Sequence, residues 1–135
     1  MPFDAPVELP VAVRVIDEML DIFGSHGEHW LQGREADRKG NRCMIGVLKL
    51  ARRRIKARDG TEGLIISAIQ QFTGVKWQFQ LLFHPTDAII RFNDTHGRTF
   101  VDVQQVLLRA RSHALRAPST IRGNPDGSYT LIFRQ

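Results

Sequence analysis

Four separate stretches of this chain repeat apolar side chains at helical spacing, which constrains the fold more than any other feature. Each stretch is bounded by a residue suited to start or stop a helix. Ala12, Val15, Ile16, Met19, Leu20 and Phe23 follow Pro10, a favoured first-turn residue, and end at Gly24. Met44, Val47, Leu48, Ala51 and Ile55 form a second stripe, predicting a helix from Asn41 as N-cap to Arg58 before Gly60. Leu64, Ile65, Ala68, Ile69 and Phe72 form a third, opened by Thr61 and closed by Gly74. The fourth carries Phe100, Val103, Val106, Leu107, Ala110 and Ala114 toward Pro118. It starts at Thr99-x-x-Asp102, a capping box with Asp in place of Glu or Gln.

One segment breaks this period. Val75, Trp77, Phe79, Leu81 and Phe83 alternate with Lys76, Gln78, Gln80, Leu82 and His84, the pattern of a strand with one buried face, ended by Pro85. A short helix through Ala88–Phe92 fits the next residues and runs into the turn composition of Asn93–Gly97. Asn124-Pro125-Asp126-Gly127, between Ile121 and Tyr129, Leu131 and Phe133, predicts a terminal hairpin able to pair with the 75–83 strand. The expected fold is therefore α+β: a helix-rich single domain over 11–135, with about four helices and a small antiparallel sheet. The three prolines in residues 1–10 predict an extended arm.

At 135 residues, with 42% hydrophobic and 24% charged side chains, the chain fits one ordinary globular domain. No apolar run reaches the ~18–20 residues of a membrane span, and no charged-then-apolar leader opens the chain. Cys43 is the one cysteine, so no internal disulfide forms, a count compatible with the cytosol. The expectation is a cytoplasmic protein without membrane contact.

The chain is basic, with 19 Lys and Arg against 14 Asp and Glu. The excess is local. Residues 1–33 hold Arg14 against six acids, whereas residues 34–58 hold ten bases against Glu35 and Asp37. Within that block Lys49, Arg52, Arg53 and Lys56 share one side of the second helix, with Arg54 and Arg58 on its flank. Such a face can bind several phosphates, and guanidinium groups bind them bidentately. It can equally be a solvated face, or one neutralised by Asp17, Glu18 and Asp21 of the first helix. The block contains no aromatic residue for stacking on unpaired bases, and no helix-turn-helix, zinc-finger or ribonucleoprotein motif is present.

Other residues suit a small site. His26 and His29 bracket Trp30, and Asp94 lies next but one to His96, a set able to hold zinc only if the two loops meet. Surface histidines are the plainer reading. Cys43 beside Arg42, at a helix start, has the setting of an activated thiol, yet it also adjoins the Met44–Val47 apolar stripe and suits the core. Asn93 and Asp94 can bond their own turn, with Asp94 holding Arg98. Alternatively, Trp30, Gln32, Cys43, Asn93, Asp94 and His96 line a polar pocket.

Trp30-Leu31-Gln32-Gly33, Cys43-Met44-Ile45-Gly46-Val47-Leu48, Phe92-Asn93-Asp94 and Arg98-Thr99-Phe100-Val101-Asp102-Val103, with Leu107 and Ala110, occur in that order. They resemble an uncharacterised family of small bacterial and phage proteins. That family reads Trp-x-Gln-Gly, Cys-x-x-Gly-x-Leu, Trp-Asn-Asp and Arg-Thr-x-x-Asp/Glu-Val. The resemblance spans about residues 12–113, with Phe92 in place of tryptophan. It implies a helical core joining the Trp30 loop, Cys43 and the Asn93-Asp94 turn, and implies no activity.

The reading that follows is a non-enzymatic binding or accessory protein. It needs no cofactor or metal and presents Lys49, Arg52, Arg53 and Lys56 to a polyanion, nucleic acid first, or to an acidic protein. A small-ligand or enzymatic module around Trp30, Cys43 and Asn93-Asp94 is the alternative. A self-associating subunit using the 75–83 edge strand and terminal hairpin is another.

Overall fold

The computed structural model describes residues 9–57, 61–74, 86–116, 118–127 and 129–133. Five helices form the core: α1 (Val11–Phe23), α2 (Met44–Ile55), α3 (Thr61–Thr73), α4 (Thr86–Asp94) and α5 (Phe100–Leu115). β1 (Pro118–Gly123) and β2 (Tyr129–Phe133) pair antiparallel, with Ile121 opposite Leu131. The α+β expectation is thereby corrected. Among the described residues the architecture is helical, with five helices rather than about four, and the terminal hairpin adds no sheet layer to the core. The 75–83 segment expected as a strand and residues 1–8 of the expected arm lie outside the described residues.

α3 is the element around which this core closes. Thr61 and every residue from Gly63 to Ile69 are buried, because the helix packs against α5, α4, α1 and β2. A helix apolar on most of its circumference is stable only when surrounded in this way. α1 lays Val13, Val15, Ile16, Met19 and Phe23 against α2 and α5. Two ion pairs tie its polar side to the same neighbours. Arg111 of α5 donates to both carboxylate oxygens of Asp17 at 2.6 and 3.2 Å, and Arg54 of α2 reaches Glu18 at 3.0 Å.

α2 is shorter at both ends than its sequence predicts. Asn41 does not cap it, because its amide donates to Asp37 at 2.9 Å within a turn that Asp37 N–H closes on the Asn41 carbonyl at 3.0 Å. Cys43 takes the N-cap position, in extended conformation and without a side-chain cap bond. At the other end Lys56 adopts the left-handed conformation (φ 57°) and stops the helix before Arg58. α4 is longer than the short Ala88–Phe92 helix expected. Asn93 spends its side chain on other elements instead of its own backbone, so helical geometry continues to Asp94. α5 begins with the capping box read from the sequence: Thr99 Oγ1 accepts from Asp102 N–H, and the Asp102 carboxylate accepts from Thr99 N–H.

Candidate functional site

Four of the six residues expected to line a pocket, Trp30, Gln32, Asn93 and Asp94, do meet, but they meet in each other's hydrogen bonds, while Cys43 sits at the start of α2 outside those bonds. Asn93 is fully buried on α4. Its Oδ1 accepts the Trp30 indole N–H at 2.8 Å and the Met44 backbone N–H at 3.1 Å. Its Nδ2 donates to the Leu31 carbonyl at 3.0 Å and to Asp94 Oδ1 at 2.8 Å. Two lone pairs and two protons are all that an asparagine amide offers, and all four are used. The bond to Met44 also supplies the cap that Cys43 does not, satisfying an otherwise orphaned N–H of α2 from a different helix.

The surrounding motif residues extend this clamp. Gln32 Nε2 donates to the carbonyls of Asn93 (2.9 Å) and Thr95 (3.2 Å), and Asp94 Oδ1 accepts from Gly33 N–H at 3.0 Å. Asp94 therefore holds the Trp30 loop and not Arg98. Arg98 lies 3.9 Å over the Phe92 ring, donates to the Phe92 carbonyl at 3.0 Å and approaches Asp102 at 3.7 Å. His96 stands apart on an exposed turn, in no hydrogen bond or ion pair among the described residues. The histidines considered for zinc do not converge either. His26 engages Ser25 and Glu28, while His29 engages Asn41, and among the described residues no three His, Cys, Asp or Glu side chains gather around one point.

Cys43 is 5% exposed. Burial pushes its thiol above the ordinary range, helped by the Asp94 and Glu35 carboxylates and opposed by the Gly46 and Ile45 backbone N–H groups. Proximity to Arg42 does not produce the activated thiolate considered from sequence. Desolvation outweighs the helix terminus, and the core-packing reading describes this residue.

The basic face of α2 lies elsewhere and is open. Lys49, Arg53 and Lys56 are exposed and Arg52 is half-buried. Together with Glu35 and Ala57 they line a surface groove of about 660 Å³. Asp17 and Glu18 of α1 do not neutralise it, being taken by Arg111 and by Arg54 on the helix flank. Its counter-charges come from two residues that charge patterning did not single out. Glu35 pairs with Lys49 at 2.9 Å, and Glu62 of α3 pairs with Arg52. The side chains of Arg53 and Lys56 are in no ion pair among the described residues.

A second groove, of about 560 Å³, adjoins the first and shares Glu35, Lys49 and Arg52 with it. Arg34, Lys49 and Arg52 there face Glu35, Glu62 and Asp94. Among the described residues the first groove has four cations against one carboxylate, and the second is balanced.

Fold and site together define a small helical module. Its loop motifs are consumed in an internal clamp, and a basic groove lies open on α2. The chain belongs to the family of unknown function DUF6197, whose model matches residues 11–113. The Trp30 loop, Cys43, Asn93-Asp94 and the α5 capping box all fall inside the match, and the terminal hairpin falls outside it. No curated protein and no solved structure matches the chain. Among the described residues no helix is long and apolar enough to cross a membrane.

Proposed function

We propose that this protein is a non-enzymatic accessory module that binds the phosphate backbone of a nucleic acid in the α2 groove. The observation that carries this reading is the open groove itself, with Arg53 and Lys56 in no ion pair among the described residues and Lys49 and Arg52 beside them. Lys49 to Lys56 spans two helical turns, about 10 Å along the axis, enough for two or three phosphates. Among the described residues no aromatic side chain lines the groove, which favours contact with the backbone over stacking on unpaired bases. The competing pocket around Trp30 and Asn93 is less favoured because its central amide has no donor or acceptor left for a ligand.

The test is fluorescence anisotropy with a labelled duplex from about 50 to 200 mM salt. Two or three engaged phosphates give a slope of log K against log[salt] of about −2 to −3. Arg53→Glu with Lys56→Glu abolishes binding, and Arg54→Glu on the flank changes it little. No binding at about 50 mM salt, or displacement by an acidic peptide in preference to nucleic acid, overturns the reading.

A further inference from the structure

We infer that Glu35 is a built-in competitor for the anion in the α2 groove, pairing with Lys49 and so withholding it from a bound phosphate. The inference rests on the groove being an anion site, as proposed above. Its basis is a contrast between the backbone and the side chain of Glu35.

The backbone is pinned. Cys43 N–H donates to the Glu35 carbonyl at 3.1 Å, next to the start of α2. That carbonyl sits so close to Gly46 that a Cβ there would collide with its oxygen. Two residues earlier, Gly33 N–H is held by Asp94.

The side chain is free to exchange. In the Glu35–Lys49 pair, 54% and 58% of the two side chains are exposed, whereas in the Arg52–Glu62 pair the exposures fall to 24% and 31%. Exposed pairs are weak and screened, so a phosphate can exchange with Glu35 far more readily than with Glu62. Because the backbone is tethered, the carboxylate stays at the lip of the groove at high effective concentration after it is displaced. Glu35 is also the one carboxylate lining that groove among the described residues.

The experiment measures duplex affinity and its salt slope for wild type, Glu35→Gln, Lys49→Gln and the double variant, with thermal melts confirming that each is folded. Glu35→Gln is expected to tighten binding about two- to five-fold at low salt. It should also steepen the slope by about 0.9, the signature of one more neutralised phosphate. Lys49→Gln should cost little in the wild type, where Lys49 is occupied, and should erase the whole gain in the Glu35→Gln background. Wild-type binding that Glu35→Gln leaves unchanged overturns this inference alone. So does a Lys49→Gln loss in the wild type as large as that of Arg53→Gln. Absence of binding by both wild type and Glu35→Gln overturns the anion site and this inference with it.

Discussion

The indole N–H of Trp30 donates to the side-chain oxygen of Asn93 at 2.8 Å, joining an irregular loop to a fully buried position 63 residues further along the chain. The same oxygen accepts the first helical N–H of α2, so one amide sets the relative placement of loop, α2 and α4.

Removing that amide is expected to be costly. Asn93→Ala strands the Trp30 and Met44 N–H groups and the Leu31 carbonyl, at about 1–3 kcal/mol for each buried orphan that water cannot reach. A total loss of about 3–5 kcal/mol is expected in urea denaturation. Trp30→Phe, which removes one donor, should cost about 1–2 kcal/mol. Near-neutral behaviour of Asn93→Ala would return these residues to the role of a ligand pocket.

Gly46 should invert the usual rule for glycine in a helix. Alanine is ordinarily better by about 1 kcal/mol in a helix interior. Here its Cβ meets the Glu35 carbonyl, a backbone atom that cannot rotate away. Gly46→Ala is expected to lower the melting temperature by several degrees, as about 1–2 kcal/mol does in a domain this small.

Thr99→Ala removes one half of the α5 capping box and should cost about 1 kcal/mol in denaturant midpoint. Thr99→Ser, which keeps the hydroxyl, should recover most of it.

His113 on α5 makes stability depend on pH in a defined direction. Burial lowers its pKa below the ordinary histidine value, with Arg116 and Arg109 adding to the effect. The unfolded chain therefore takes up the proton first. The contribution is fully present above about pH 6.5 and is lost as pH falls through the lowered folded value. Denaturation midpoints between pH 7.5 and 5.5 should fall more steeply for wild type than for His113→Gln.

The thiol of Cys43 shifts the other way, upward through burial, so its neutral form is favoured in the folded state. Its contribution holds below the ordinary thiol value of about 8.5 and declines as pH rises through the higher folded one. Alkylation by iodoacetamide at pH 8 should be slow in the native protein and become fast in urea. Fast native alkylation would show an exposed thiolate.

The sequence by itself determined the helices whose signals are local. Apolar spacing and terminating glycines mark α1 and α3, and Thr99-x-x-Asp102 marks the start of α5, because caps and amphipathic stripes act within a turn or two of backbone. The cationic face of α2 was legible for the same reason. Only the tertiary structure decided the rest. Asn41 looks like a cap until Asp37 takes its amide, and Asn93 looks like turn material until three distant groups converge on it. Whether the basic face stayed open depended on which carboxylates arrived from elsewhere: Asp17 and Glu18 went to Arg111 and Arg54, while Glu35 and Glu62 came to the face. Charge and hydrogen-bonding capacity are written at each position, but their partners are chosen by packing between residues far apart in the chain.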